Sequence, residues 1–295
     1  MSQTTNIEWA DHTGSPWIGC TKVSPGCANC YAKTMDDNRF SRMKGQDSHW
    51  GPGKARMKTK GFWKDALKWN DSASQAEIDH DDETNFGKDL GNYVRPRVFP
   101  SLCDWLDDDV PIEWFIEFIE LIYLTPNLDW LLLTKRPQNF LSRFSKARLF
   151  GGCYLQWLAG WMNGIDGAIP PNVWLGVSVE DQARADERIP LLLQIPARVR
   201  WLSVEPLLEP VDLGFRLTRQ FSQPNPVLHW VVVGGESGPG RRDCRVGAIG
   251  NVADQCIQAG VPVFVKQDCA AKPGQQGRIH EDLWAFKQFP KIQTT

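Results

Sequence analysis

The stretch Val173–Pro206, "VWLGVSVEDQARADERIPLLLQIPARVRWLSVEP", contains a complete strand–helix–strand unit. Its ends, "VWLGVSV" and "VRWLSV", are near-continuous apolar runs, as expected for strands buried on both faces of a parallel sheet. The mixed segment "EDQARADERIPLLLQ" between them supplies the crossover helix. Each strand stops in an acid, Glu180 after the first and Glu205 after the second.

The same grammar extends in both directions. Further strands are predicted at Arg97–Leu102, Trp130–Thr134, Leu228–Val233 and Val261–Val265, with a short first one at Ser15–Gly19. Helical periodicity appears in "IEWFIEFIELIYL" (Ile112–Leu124), with Ile112, Phe115, Ile116, Ile119 and Tyr123 on one face and Glu113, Glu117 and Glu120 on the other. "PQNFLSRFSKARLF" and "VGAIGNVADQCIQAG" read as later helices, the last ending on a glycine suited to a C-cap. Repeated strand–helix units of about seven strands predict an α/β fold: a full or partial parallel β/α (TIM-like) barrel in a single domain, 1–295.

Five strands end directly in polar residues: Lys135-Arg136, Glu180-Asp181, Glu205, Gly234-Gly235-Glu236-Ser237 and Lys266-Gln267-Asp268. In a parallel barrel these C-terminal ends form one rim, where active sites sit. Singly, each is equally well read as a wet loop or a surface ion pair; their convergence points to a functional mouth.

Composition is that of an ordinary globular chain, with 42% hydrophobic and 23% charged residues. No apolar run approaches the roughly 20 residues of a membrane span. "MSQTTNIEWADHTG" has neither the basic nor the apolar region of a signal peptide, so a cytoplasmic location is expected. The net charge of −2 hides an uneven distribution. From Arg39 to Trp69 there are nine Lys/Arg, including Arg42, Lys44, Lys54, Arg56 and Lys58, against two acids. Asn70–Leu90 then reverses sign, with seven acids against Lys88. This basic/acidic insertion, about 39–92, reads as a surface excursion. Cations interleaved with His49, Trp50, Phe62, Trp63 and Trp69 are the two parts of a nucleic-acid groove. The alternative is a solvated loop whose tryptophans pack back onto the barrel.

Before the first crossover lies "WIGCTKVSPGCANCYAK" (Trp17–Lys33), with Cys20, Cys27 and Cys30 in a C-x6-C-x2-C pattern. In a reducing compartment such spacing argues for metal or redox chemistry rather than disulfides. Structural zinc needs a fourth ligand, for which His12 and Cys103 are the nearest candidates. An iron–sulfur cluster or unligated thiols are the other readings. Cys153, Cys244, Cys256 and Cys269 read as small buried hydrophobes.

Three close cysteines after the first strand of a β/α barrel, the last followed by the aromatic Tyr31, resemble the radical S-adenosylmethionine (SAM) superfamily. The first gap is three residues longer than the commonest spacing there. The resemblance implies a 4Fe–4S cluster on Cys20, Cys27 and Cys30, with one iron open to the amino and carboxylate groups of SAM. It also implies a 5′-deoxyadenosyl radical and an electron donor such as flavodoxin or ferredoxin. "IEWADHTGSPWIGCTKVSPGCANCYA", "LLLTKRP", "GVSVED", "RWLSVEPLL", "WVVVGGESGPGRR" and "VPVFVKQ" together resemble a family of phage and prophage three-cysteine proteins of that superfamily. Related phage clusters act in thymine hypermodification. The implied activity is isomerisation of a glycinyl-type adduct on thymine in phage DNA, from N-linked to C-linked, protecting the DNA from host restriction. A radical SAM DNA-repair lyase, an RNA-base modifier and a non-catalytic zinc-stabilised nucleic-acid-binding protein are the alternatives.

On this resemblance Ser178, Glu180, Glu205, Gly234, Gly235 and Glu236 would hold SAM, the carboxylates accepting from ribose hydroxyls and the ammonium group. Lys135, Arg136, Arg242 and Lys266 would face an anionic substrate or the SAM carboxylate. Lys54, Arg56, Lys58 and Trp63 would meet nucleic acid.

Overall fold

A computed structural model describes residues 5, 7–41, 45, 47–85, 91–150, 155–214 and 228–291. Arg42, Lys44, Lys88, Leu90 and Cys153, all named above, lie outside the described residues. In chain order the strands are β1 (His12–Thr13), β2 (Trp17–Ile18), β3 (Met57–Lys58), β4 (Arg97–Phe99), β5 (Asp129–Thr134), β6 (Val173–Ser178), β7 (Val199–Val204), β8 (Trp230–Gly234) and β9 (Val263–Gln267). The helices are α1 (Tyr31–Met35), α2 (Phe62–Asn85), α3 (Ile112–Leu124), α4 (Phe140–Leu149), α5 (Leu155–Met162), α6 (Gln182–Gln194), α7 (Val246–Gln258) and α8 (Glu281–Trp284).

Seven strands form one parallel sheet in the order β1-β4-β5-β6-β7-β8-β9. Strands neighbouring in sequence neighbour in space, so right-handed crossovers put the helices on one face. The sheet is also strongly curled. Trp9 packs against Phe99 of β4 at 4.6 Å and against Trp230 of β8 at 6.1 Å between ring centroids. In a flat sheet those strands would be about 19 Å apart, at ~4.8 Å per strand. One indole can touch both only because the sheet wraps around it, giving an open, partial barrel.

Period-two alternation sorts the side chains. Trp130, Leu132, Leu175, Val177, Leu202, Val204, Val231 and Val233 belong to the outer core, under the helices. Leu131, Trp174, Val199, Trp201, Trp230, Val232 and Phe264 point into the curl, with Trp9 and Phe99. The inner aromatics are packed so tightly that Gly176 is required between them. A Cβ there would lie 2.3 Å from the Trp201 ring. The floor of the barrel is therefore solid indole, and only the upper end of its interior is free for polar groups.

The first strand differs from expectation. Ser15–Gly19 does not join the large sheet. His12–Thr13 pairs with β4, while Trp17–Ile18 turns away to pair antiparallel with Met57–Lys58. The insertion is likewise not a plain surface excursion: α2 buries Phe62, Ala66, Trp69 and Ala73 against the outer core, and its second half carries most of the acids. Helix α3 has the predicted bounds but a rotated face, burying Phe115, Phe118, Ile119 and Ile122 while Tyr123 is exposed. Gly260, at φ +67, ends α7 in the left-handed conformation that glycine adopts without strain. Among the described residues no helix is long and apolar enough to cross a membrane.

Candidate functional site

On the inner face, the layer above the aromatic floor is polar. Alternation aims Lys135, Ser178, Ser203, Glu205 and Lys266 inward at the C-terminal ends of their strands. Lys135 Nζ donates to Ser178 Oγ at 2.8 Å, and Lys266 Nζ lies 3.1 Å from Glu205 Oε1. Ser178 and Ser203 are buried, while Lys135, Glu205 and Lys266 keep partial access to solvent. Two cations, one carboxylate and two hydroxyls on one concave wall suit a zwitterionic or anionic ligand.

The three-cysteine loop stands over this layer and is gripped from two strand ends. Gly26 N donates to Glu180 Oε1 at 3.2 Å; Asn29 Nδ2 donates to Glu236 Oε2 at 2.9 Å and to Gly240 O at 2.7 Å. Glu180 is buried against Arg188 at 3.0 Å. Burial opposes its charge, but Arg188 and Lys135 outweigh this and hold the carboxyl below its ordinary range. Glu236 is treated similarly: burial is outweighed by Arg242, whose Nη2 approaches to 2.6 Å and whose Nη1 donates to Pro25 O. Both carboxylates bracket the loop, their ionised forms favoured by the neighbouring guanidinium groups.

The cysteines occupy distinct settings. Cys27 is buried at the end of a single 3-10 turn, Pro25–Cys27, whose proline fixes the first backbone angle. Cys30 immediately precedes α1 and is partly exposed. Cys20 receives Arg136 Nη1 at 3.4 Å. Burial pushes the Cys20 thiol up to about 12, with Asp104 adding to the rise and Arg136 opposing it. Arg136 is itself buried; that desolvation disfavours its charge, yet Asp104, at 2.8 Å, and the nearby Cys20 and Asp107 hold it protonated. Tyr31 donates its hydroxyl to Ser101 O at 2.8 Å. A pocket of about 320 Å³ opens beside the loop, lined by Lys22, Asn29, Cys30, Lys33 and the Ser237–Pro239 turn.

Of the residues expected to hold SAM, Ser178 and Glu205 reach the inner wall, whereas Glu180 and Glu236 grip the cysteine loop. Gly234 and Gly235 do not make room for a ligand. A Cβ on Gly234 would lie 2.8 Å from Glu205 Oε1, and one on Gly235 would lie 2.5 and 2.8 Å from the sulfurs of Cys269 and Cys244. These glycines admit protein atoms. Lys135 and Lys266 face the interior, on Ser178 and Glu205. Arg136 and Arg242 are instead tied to Asp104 and Glu236 and brace the loop.

The expected nucleic-acid face needs a larger correction. Arg56 is 5% exposed and donates to Asp107, Asp109, Thr21 and the carbonyls of His49, Gly51 and Lys54, so it is an internal clamp. Trp50, Phe62 and Trp69 are buried, and Trp63 is partly buried with its N–H on Thr59 O. Lys58 lies between Glu117 and the Trp63 and Trp114 rings. Lys54, Lys60, Lys64 and Lys68 remain exposed, the last two on the same face of α2.

Of the candidate fourth ligands, His12 is stacked on Trp69 at 4.4 Å. Cys103 is brought beside the loop by a backbone bridge between its residue and Gly19. Asn29 and Asp104 were not legible as site residues, because their roles depend on partners far along the chain; only their places, beside Cys30 and after a strand, were visible. Among the described residues, the group of three metal-ligand side chains with atoms within 4.8 Å of one another is Cys244, Asp268 and Cys269, not the three-cysteine loop.

No curated protein and no solved structure matches the chain. Residues 4–284 match the family described as Protein of unknown function (DUF5131), and the chain therefore belongs to that family.

Proposed function

We propose that the protein is a radical SAM enzyme whose 4Fe–4S cluster is held by Cys20, Cys27 and Cys30. The observation that carries this reading is a three-thiol loop bracketed by Glu180 and Glu236 over an inward-facing layer of Lys135, Ser178, Glu205 and Lys266. The donor set fits such a cluster. Four zinc ligands at about 2.3 Å crowd to within roughly 4 Å of one another. The loop sulfurs are not drawn into so compact a group, and a cubane interposed between thiolates requires a wider one. When bound, the cluster and SAM would supply a 5′-deoxyadenosyl radical.

The chain's own residues would then divide the work. Arg136 donates to Cys20 and stabilises its thiolate. Glu205 is placed to accept from an ammonium or ribose hydroxyl, and Lys135 and Lys266 to donate to a carboxylate. The aromatic floor closes the barrel from below. The substrate class is a modified base in DNA, most specifically an amino-acid adduct of thymine undergoing N-to-C isomerisation. The exposed Lys54, Lys60, Lys64 and Lys68 support a phosphate-backbone contact.

Anaerobic reconstitution with iron and sulfide tests the cofactor. Expected are a brown protein and 5′-deoxyadenosine on reduction with SAM, both lost in Cys27→Ala. Stoichiometric zinc without SAM cleavage would overturn the reading. Cys103→Ala separates an open cluster from a closed four-thiol one: SAM cleavage that survives it leaves three protein ligands.

A further inference from the structure

Away from the three-cysteine loop a second thiol pair stands at the rim. Cys244 ends the loop that follows β8, and Cys269 lies just beyond β9. A parallel bridge between Ser237 and Ala270 holds the two segments side by side. The two sulfurs and a carboxylate oxygen of Asp268 lie within 4.8 Å of one another. Gly235 sits beneath them, where any Cβ would collide with both sulfurs.

A metal could explain such a trio only if Asp268 had a free lone pair. It does not. Oδ1 accepts from Cys269 N at 2.6 Å and Arg278 Nη2 at 2.8 Å; Oδ2 accepts from Arg278 N and Nε, each at 2.8 Å. Four strong donors, joined by a long contact from Cys244 Sγ to Oδ1 at 3.9 Å, saturate the carboxylate, and Arg278 holds it down to about 2 despite burial. What remains is a pair of neighbouring thiols, of which Cys244 makes only a long, weak contact with Asp268 among the described residues.

We propose that Cys244 and Cys269 form a redox modification site, a dithiol that closes to a reversible disulfide and staples the loop holding the three-cysteine segment. That loop, Gly235–Cys244, carries Glu236 and Arg242, which grip Asn29 and Pro25. The oxidant is a low-molecular-weight disulfide. Cys269, partly exposed where Cys244 is buried, attacks it first: a bond forms between Cys269 Sγ and one small sulfur, and the other leaves as a thiol. Cys244 then loses its proton to solvent and attacks Cys269 Sγ, releasing the second small thiol. Two protein thiols are oxidised and one small disulfide is reduced to two thiols. Burial and the neighbouring Cys269 push the Cys244 thiol up to about 12. Once Cys269 is capped as a mixed disulfide its contribution disappears, easing the second step.

The test is equilibration of the full chain in glutathione buffers of graded ratio, followed by alkylation and peptide mapping. Expected is a linked Cys244–Cys269 peptide that reverts with excess reduced glutathione. Thermal unfolding of the oxidised form should shift upward by several degrees, because the link constrains the unfolded chain. Cys269→Ser should lose both link and shift, while Cys244→Ser should trap glutathione on Cys269. Recovery of both thiols as alkylated at the most oxidising ratio, or a lasting mixed disulfide on Cys269 in the native chain, would overturn the proposal. So would stoichiometric zinc that protects both cysteines from alkylation, which would assign a metal site instead.

Discussion

Gly26 rests directly on the carboxylate of Glu180. Its N–H donates to Oε1 at 3.2 Å, and a Cβ at position 26 would lie 2.9 Å from Cδ. The middle of the three-cysteine loop is thus fixed by contact with the end of β6, 154 residues later. Gly26→Ala is expected to lift this loop without unfolding the barrel. Cys27 should be alkylated faster in the metal-free protein, and iron retention should fall, while the melting temperature changes little. An unaltered alkylation rate would show that the contact does not position the thiol.

Glu180 also neutralises Arg188, a buried pair at 3.0 Å. Glu180→Ala leaves the guanidinium buried and uncompensated, a loss of about 3–5 kcal/mol in urea unfolding. The carboxyl's pKa is lowered in the fold, so its contribution is present above the ordinary carboxylate range and fades as pH falls through the depressed value. The stability gap between wild type and Glu180→Ala should therefore narrow in acid.

Asp129, buried at the start of β5, has the opposite sign. Burial is the largest influence and pushes it up to about 7, against the pull of Arg95 and Arg97. A raised folded value means that the neutral form is favoured in the fold, and this advantage is lost as pH rises from the unfolded value toward 7. Asp129→Asn should gain on wild type progressively between about pH 4 and pH 7, by at most a few kcal/mol, and no further above that. Unfolding midpoints across pH measure it; a constant difference would refute the assignment.

Arg56 and the exposed lysines give contrasting expectations. Arg56→Ala removes the donor that joins His49, Gly51 and Lys54 to Asp107 and Asp109, and should destabilise the fold by about 3 kcal/mol or more. Lys54→Glu with Lys64→Glu and Lys68→Glu should leave unfolding nearly unchanged but weaken DNA binding and flatten its salt dependence. An unchanged salt slope would remove α2 from the binding surface.

The strand–helix alternation, six of the seven strands of the large sheet and the polar strand ends were all legible in the chain, because a strand buried on both faces is apolar along its whole length and stops where the sheet meets solvent. Helix α3 shows the limit of that reading. Its bounds follow from composition, but its buried face is set by what α2, α4 and Trp130 of β5 present, so Phe118 and Ile122 turn inward and Tyr123 outward. The insertion shows it again: its charge was legible, whereas the burial of Arg56, Trp50 and Trp69 depends on Asp107 and a core supplied by distant segments.

The sequence by itself determined the parallel α/β architecture and the three thiols on one short loop, since periodicity and spacing are local properties. Only the tertiary structure decided which polar strand ends face the interior, as Lys135, Ser178, Glu205 and Lys266 do, and which grip the cysteine loop, as Glu180 and Glu236 do. The physical reason is that a carboxylate's role depends on the donor that reaches it first. For Glu180 and Glu236 those donors, Gly26 and Asn29, arrive from 154 and 207 residues away.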